Sequence, residues 1–206
     1  MNRRAMPRHA PAIVIAVLFA VSACSPRGGE AVRPPLEGAS IGGDFSLVDK
    51  AVKPVRFHDF AGKYRIVYFG YTFCPDACPL DVQKMMQGYA RFAKAEPDVA
   101  ARVQPLFISI DPARDTPAAV GEFAAAFSPK LIGLTGSEAQ VAEASKMFKG
   151  FYSKGEPTKD GGYLMDHARI AYLMGPEGKP LAFLPIDLPP KEAPKAVAES
   201  LAKWTS

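Results

Sequence analysis

The chain has 206 residues, of which 48% are hydrophobic and 22% charged, and its formal net charge is +4. Three of the positive charges, on Arg3, Arg4 and Arg8, lie before residue 24, so the remainder of the chain carries only +1 (4 − 3). A nearly neutral chain lacks the basic surface that nucleic-acid binding requires, so no nucleic acid is expected as a partner.

The N-terminal residues 1–23 are typical of a secretory signal peptide of the lipoprotein type. The arginines precede an apolar segment, 10–21, that is too short to span a membrane comfortably. Small residues and then Cys24 follow, and this order resembles the cleavage site of bacterial lipoproteins. The resemblance implies lipid on the Cys24 sulfur and a periplasm-facing lipoprotein anchored to a membrane of the bacterial cell envelope. The alternative is an uncleaved N-terminal anchor.

Proline and glycine are frequent in residues 24–43, and this composition predicts a flexible tether. Residues 44–206 then have the length of one domain.

The apolar pattern of that domain predicts strands that alternate with helices. The predicted strands are 45–48 and 52–57 as a hairpin, 64–71, 103–110, 131–134, 151–153, and 163–174 with 180–184 as a second hairpin. The predicted helices are 79–95, 117–127 capped by Thr116, 138–148 capped by Ser137, and 191–204, and residues 155–162 are a predicted polar loop. This order predicts an α/β fold with a mixed central sheet flanked by helices on both faces. A thioredoxin-like fold has this order and places a cysteine pair at its first strand-to-helix turn.

Cys74 and Cys78 occupy that turn, between the strand 64–71 and the following helix. Pro75 disfavours helical angles at Cys74, which therefore belongs to the loop. Pro79 is tolerated at the first helical position, which places Cys78 at or beside the N-cap. The partial positive charge of the helix N-terminus is then expected to lower the pKa of the Cys78 thiol.

The spacing of the two cysteines favours chelation without excluding redox chemistry. Three residues separate Cys74 and Cys78, whereas thioredoxin-type redox motifs have two. The wider spacing suits a metal ion, and the pair can also form a redox disulfide. A purely stabilising disulfide is a further alternative, although a short loop gains little from a cross-link.

Of the three histidines, only His167 is a candidate ligand. His9 belongs to the signal peptide, and His58 is expected at the surface. Two thiolates and one imidazole form a soft, three-coordinate site that suits copper as Cu(I), with a fourth position that can admit Cu(II). Structural zinc prefers four protein ligands, and only three are evident.

Four further residues are predicted near this site. Asp76 lies between the cysteines, where it either tunes the charge at the metal or only forms the turn. Asp111 and Asp115 follow a strand end, where α/β proteins often place functional groups, and are expected behind the ligands. Met165 shares a strand face with His167 and offers a thioether ligand, although most methionines only fill the core.

Three motifs together resemble those of the Sco/SenC family. They are residues 69–79, residues 109–117, and Asp166-His167 followed by 172–173 and 176–178, and the similarity covers about residues 40–205. The resemblance implies a thioredoxin-like fold and copper held by Cys74, Cys78 and His167. It also implies delivery of copper to the binuclear centre of cytochrome c oxidase subunit II, or reduction of that centre's cysteines. Ala168 departs from the family pattern, which often has a hydroxyl residue there.

The sequence is therefore consistent with two functions. A membrane-tethered metallochaperone needs Cys74, Cys78 and His167, whereas a thiol–disulfide oxidoreductase needs only the two cysteines. A peroxiredoxin-like peroxidase is disfavoured because no arginine-assisted pattern surrounds Cys74. The resemblance favours the chaperone, which is not an enzyme, and it identifies no copper donor.

Overall fold

The computed structural model describes residue 1 and residues 32–159 and 161–205. The predicted signal peptide and Cys24 lie outside the described residues. A compact unit runs from Arg33 to Ser206 and contains the hydrophobic core. None of the helices in the described residues combines the length and the apolar character that crossing a membrane requires.

A five-stranded mixed sheet forms the centre of this unit. The strands are β1 Ser46–Val48, β2 Pro54–Arg56, β3 Tyr64–Gly70, β4 Val103–Ser109, β5 Ile132–Leu134, β6 Tyr152–Pro157, β7 Tyr163–His167, β8 Ala171–Met174 and β9 Pro180–Leu184. The central sheet has the order β5-β4-β3-β8-β9, in which β3, β4 and β5 are parallel and β8 and β9 are antiparallel. The mixed sheet predicted from the sequence is thus confirmed.

Helices flank this sheet. They are α1 Ala77–Ala95, α2 Pro97–Ala101, α3 Pro117–Phe127, α4 Glu138–Met147 and α5 Ala193–Trp204. The predicted caps are confirmed, since the side chains of Thr116 and Ser137 accept hydrogen bonds from the backbone N–H groups of Ala119 and Gln140. The short helix α2 is additional to the prediction, and it begins at Pro97, a residue favoured in the first turn.

The register between β3 and β4 places the turns that follow these two strands side by side. Tyr64 pairs with Val103 and Gly70 pairs with Ser109, so both strands end at the same edge of the sheet. All residues of β4 are buried, and so are all of β3 except Tyr64, as expected for strands covered on both faces. The cysteine turn after β3 therefore lies next to the turn that carries Asp111 and Asp115.

The predicted strand 163–174 is wrong, because it is two strands in two different sheets. Residues 163–167 form β7, which pairs antiparallel with β6 in a separate two-stranded sheet. Residues 171–174 form β8, which pairs with β3 in the central sheet. Apolar residues occur both before and after residues 168–170, so the sequence pattern resembled that of one continuous strand. Pairing with β7 also extends β6 to Pro157, so the predicted polar loop at 155–162 is shorter than expected.

The helix after the cysteines begins earlier than predicted. Asp76 is its N-cap and Ala77 its first residue, so Cys78 lies at the second helical position and Pro79 at the third. The first helical hydrogen bond is made by the N–H of Leu80 to the Asp76 carbonyl, at 3.3 Å. Pro79 is tolerated there because the first N–H groups of a helix have no intrahelical partner.

Residues 33–43, which precede Asp44, pack against the domain. The Leu36 N–H donates to the Leu181 carbonyl at 3.0 Å, and the Gly42 N–H donates to the Met147 carbonyl at 2.8 Å. The compact unit accordingly begins at Arg33, upstream of the predicted tether boundary.

Candidate metal centre

The two cysteines lie at the edge of the sheet where β3 ends and α1 begins. Cys74 is half-buried in the loop, and Cys78 is fully buried in the first turn of α1. The backbone N–H of Cys78 donates to the Cys74 sulfur at 3.3 Å. No disulfide joins the two cysteines in this structure.

His167, the last residue of β7, points its imidazole at the buried cysteine. Its Nε2 atom lies 3.2 Å from Cys78 Sγ, and its Nδ1 atom lies 3.1 Å from the Ala168 carbonyl oxygen. Because a carbonyl can only accept, Nδ1 carries the proton and Nε2 presents its lone pair to the thiol. The backbone of Ala168 thus orients the ring, although its side chain lacks the expected hydroxyl.

Two tyrosine rings enclose this imidazole. Tyr68 and Tyr71 make edge contacts with His167, with ring centroids 6.2 and 6.1 Å away. Burial lowers the pKa of His167, which favours the neutral form that a metal ligand must have.

The pKa values of the two thiols are shifted in opposite directions. Burial raises the pKa of Cys78, which corrects the expectation that the helix N-terminus would lower it. Burial also disfavours the Cys74 thiolate, but hydrogen bonds from the backbone N–H groups of Cys78 and Asp76 outweigh it, so the pKa of Cys74 is lowered. The amides at the start of α1 therefore act on Cys74 in the loop, because they point toward its sulfur.

A shallow cavity of about 280 Å³ opens over these groups. It is lined by Cys74, Asp76, Met165, His167 and Arg169, among others. In the described part of the chain, no group of three or more His, Cys, Asp and Glu side chains is arranged to hold a metal ion as it stands. Cys74 and His167 line the cavity, and the buried Cys78 thiol contacts His167. The chemistry of these three groups fits a soft metal ion.

Asp76 and Met165 both line this cavity, but they differ in exposure. Asp76 is exposed, and its side chain makes no capping hydrogen bond, so its carboxylate is not needed to start the helix. Met165 is 9% exposed and lies on the same face of β7 as His167, as predicted.

Asp115 acts on the cysteine loop through Thr72. Its carboxylate, 1% exposed, accepts from the Thr72 hydroxyl at 2.6 Å, the Thr72 N–H at 3.0 Å and the Ser109 hydroxyl at 2.6 Å. Burial raises its pKa against the effect of these hydrogen bonds. Asp115 therefore fastens the beginning of the loop that carries Cys74.

Asp111 belongs to a neighbouring cluster. It accepts from Arg114 Nε and, at 2.8 Å, from the Tyr163 hydroxyl, while Arg114 also donates to the Tyr163 carbonyl at 2.9 Å. The guanidinium lies over the Tyr163 ring, 3.6 Å from its centroid. This cluster fixes the beginning of β7, at the opposite end of the strand from His167.

A buried cluster of charged side chains that was not predicted from the sequence lies behind the site. Asp81 is 0% exposed, and its carboxylate contacts Arg169, Lys84 and the Tyr68 hydroxyl. The available signal was the position of Asp81 on the apolar face of α1, one turn after Cys78 and directly before Val82. A carboxylate at such a position needs a buried partner.

Comparisons with known proteins agree with this geometry. The family model described as SCO1/SenC matches residues 33–205. The mitochondrial SCO2 homolog of Mus musculus is 44% identical over 144 residues, which cover 69% of this chain and 56% of that protein. The chain spans about half the length of the first curated relatives it matches.

Two solved structures that match this fold have copper bound. Arabidopsis thaliana ScoI with copper bound is 35% identical with a TM-score of 0.71, and the match covers 80% of this chain and 99% of that one. Bradyrhizobium japonicum ScoI with copper bound is 35% identical with a TM-score of 0.69, at the same coverage. These matches confirm the predicted thioredoxin-like fold. The solved chains consist almost entirely of the matched region, so in these two relatives that region folds without further chain.

Proposed function

This chain belongs to the SCO1/SenC family, and from that premise and the geometry of its cysteine turn we propose that it is a copper metallochaperone. The proposed ligands are the sulfur atoms of Cys74 and Cys78 and the Nε2 atom of His167. The observation that carries the proposal is the contact of 3.2 Å between His167 Nε2 and Cys78 Sγ, with Cys74 at the rim of the same cavity.

The chemistry of these three groups favours copper over the common alternatives. Thiolate and imidazole ligands are soft, and three of them satisfy Cu(I), whereas a structural zinc site would require a fourth. The fixed Nδ1–H of His167 leaves Nε2 free to bind without a change of tautomer. The copper that is bound in the solved Arabidopsis and Bradyrhizobium relatives supports the same assignment.

The different exposure of the two cysteines suits the release of a cargo. Cys78 is buried against His167, whereas Cys74 lies half-exposed in the loop. A thiol of an acceptor protein can therefore approach on the Cys74 side and replace one ligand at a time. Stepwise replacement avoids setting the ion free in solution, so transfer by direct contact is the expected route.

The proposed acceptor is the binuclear copper centre of cytochrome c oxidase subunit II. The proposed location is the periplasm-facing side of a membrane of the bacterial cell envelope, with lipid on Cys24 as the anchor. The signal-like N-terminus supports the proposed location, and the family membership supports the proposed acceptor.

Copper transfer to a reduced acceptor tests the proposal. The protein is loaded anaerobically with one equivalent of Cu(I) and mixed with the copper-binding domain of subunit II, whose cysteines have been reduced. We expect the acceptor to fill faster than from a chelator that buffers Cu(I) at the same free concentration. Equal rates from the two sources would contradict a chaperone role.

The second candidate function is thiol–disulfide exchange, and the opposite pKa shifts of the cysteines favour it. The Cys74 thiolate would attack a disulfide of the partner, form a mixed disulfide and release one partner thiolate. Cys78 would then attack the Cys74 sulfur and release the second partner thiolate. The partner gains two electrons, and Cys74 and Cys78 end as a disulfide.

One comparison separates the two functions. The copper-free, reduced protein is mixed with the acceptor domain after the acceptor's cysteines have been oxidised. If exchange is the function, the variant His167→Ala still reduces the acceptor and Cys74→Ser does not. If only the chaperone proposal holds, the wild type leaves the acceptor oxidised.

A further inference from the structure

An ion pair joins the segment that carries His167 to the helix that carries Cys78. The guanidinium of Arg169 donates from Nε to Asp81 Oδ2 at 2.7 Å and from Nη2 to Asp81 Oδ1 at 2.6 Å. Arg169 follows His167 by two residues, and Asp81 follows Cys78 by one helical turn. Such a bidentate pair fixes orientation as well as distance.

This tie matters because strand pairing joins His167 to Tyr152 of β6 and does not join it to the central sheet. Strand β7 pairs with β6 in a two-stranded sheet, whereas β3, which leads into the cysteine loop, lies in the central sheet. Residues 168–170 connect the two sheets. Arg114 and Asp111 hold Tyr163. Tyr163 lies at the opposite end of β7 from His167, so these contacts do not fix the imidazole directly.

Burial and neighbouring side chains hold the Asp81 carboxylate in a fixed position. It is fully buried, whereas the Arg169 side chain is 47% exposed, so the fixed member of the pair is the carboxylate. Lys84 Nζ lies 3.8 Å from Asp81 Oδ1 and donates to the Ile186 carbonyl at 2.9 Å. The Tyr68 hydroxyl donates to Asp81 Oδ2 at 3.1 Å, and the ring of the same tyrosine contacts the imidazole.

We propose that Asp81 and Arg169 are positioning residues whose ion pair holds the imidazole of His167 beside the Cys78 sulfur. Neither residue is a proposed ligand, and the proposed effect of the pair is exerted through His167. Its effect on copper affinity rests on the proposed function, whereas its effect on the position of His167 in the metal-free protein does not.

The metal-free arm of the test uses the ring protons of His167. The compact unit 33–206 contains two histidines, His58 and His167, so their NMR signals are assigned by comparison with His167→Ala. In the reduced wild type, we expect the His167 ring protons to be shifted by the neighbouring Tyr68 and Tyr71 rings. In Arg169→Ala they should move toward the values of a histidine in an unfolded peptide, and Arg169→Lys should restore them only in part.

The copper arm is a double-mutant cycle between Arg169 and His167. Arg169→Ala alone should weaken Cu(I) binding by about 10- to 100-fold, the usual effect of losing a partner that orients a metal ligand. In a His167→Ala background the same change should have little further effect, because the residue through which it acts is gone. Lys195→Ala, which breaks the exposed Lys195–Glu199 pair on α5, is the matched control and should leave both measurements unchanged.

Two results would overturn the inference. Unchanged His167 ring signals in Arg169→Ala would show that the ion pair does not hold the imidazole. An equal loss of affinity with and without His167 would show that the arginine acts by charge or by general stability. If the wild type binds no copper, the chaperone proposal fails, and the ring signals of the metal-free protein still decide the positioning role.

Discussion

The Nε2 atom of His167 lies 3.2 Å from the Sγ atom of Cys78, although the two residues are 89 positions apart in the chain. The contact joins the end of a peripheral two-stranded sheet to the first turn of the helix after β3. A thiol and an imidazole lone pair at this distance are ready to share a metal ion after small movements of the side chains.

Removal of His167 should weaken copper binding strongly. Loss of a group that only orients a ligand typically costs about 10- to 100-fold in affinity, so loss of the ligand itself in His167→Ala should cost at least about 100-fold. Anaerobic competition with a Cu(I) chelator measures the effect. His58→Ala is the control, because His58 is exposed and paired with Asp44, and it should bind as the wild type does. Equal affinities for all three proteins would remove His167 from the ligand set.

The two cysteines should react with alkylating agents at different pH. The pKa of Cys74 is lowered, so its thiolate forms below the pH at which an ordinary thiol ionises, and its alkylation rate should rise there. The pKa of Cys78 is raised by burial, so its rate should rise only above that pH. Mass spectrometry after brief exposure of the reduced, copper-free protein to iodoacetamide gives both profiles. Modification of Cys78 before Cys74 would refute this assignment, and Cys74→Ser provides the profile of Cys78 alone.

Loss of Asp115 should loosen the cysteine loop and destabilise the fold. In Asp115→Ala the N–H and hydroxyl of Thr72 and the hydroxyl of Ser109 lose their acceptor. A buried donor without a partner costs about 1–3 kcal/mol, so the free energy of unfolding should fall by at least that amount in urea titrations. Asp98→Ala, at an exposed site in α2, should change it by less than about 0.5 kcal/mol. A small effect at both positions would mean that Asp115 does not fasten the loop.

A methyl group at Gly70 should disturb the metal site directly. Its Cβ would lie 3.2 Å from Cys78 Sγ, 3.1 Å from the Phe107 ring and 2.9 Å from the Tyr68 ring, and all three side chains are buried. Overpacking of this kind costs about 1–3 kcal/mol, and Gly70→Ala should both lower the thermal midpoint and weaken Cu(I) binding. In Gly175→Ala the new Cβ would meet Leu181 at an ordinary 3.5 Å, so this variant should retain wild-type copper affinity. A wild-type Cu(I) affinity in Gly70→Ala would show that the neighbouring side chains accommodate the methyl group without disturbing the metal site.

Much of the fold could be predicted because it follows from short-range patterns. The continuous apolar runs of β3 and β4 indicate buried strands, and the side chains of Thr116 and Ser137 mark the starts of two helices. These signals lie within a few residues of the structure that they determine. The prediction failed where pairing partners decide the outcome, as at residues 163–174, which divide between two sheets.

The sequence by itself determined the chemistry available to this protein: two cysteines at a strand-to-helix turn, one histidine in a second motif, and the family to which these motifs belong. Only the tertiary structure decided how that chemistry is arranged. It brings His167 to Cys78, turns the helix amides toward Cys74, and pairs Asp81 with Arg169. These relationships depend on distances between segments far apart in the chain, and a pattern of neighbouring residues carries no information about those distances.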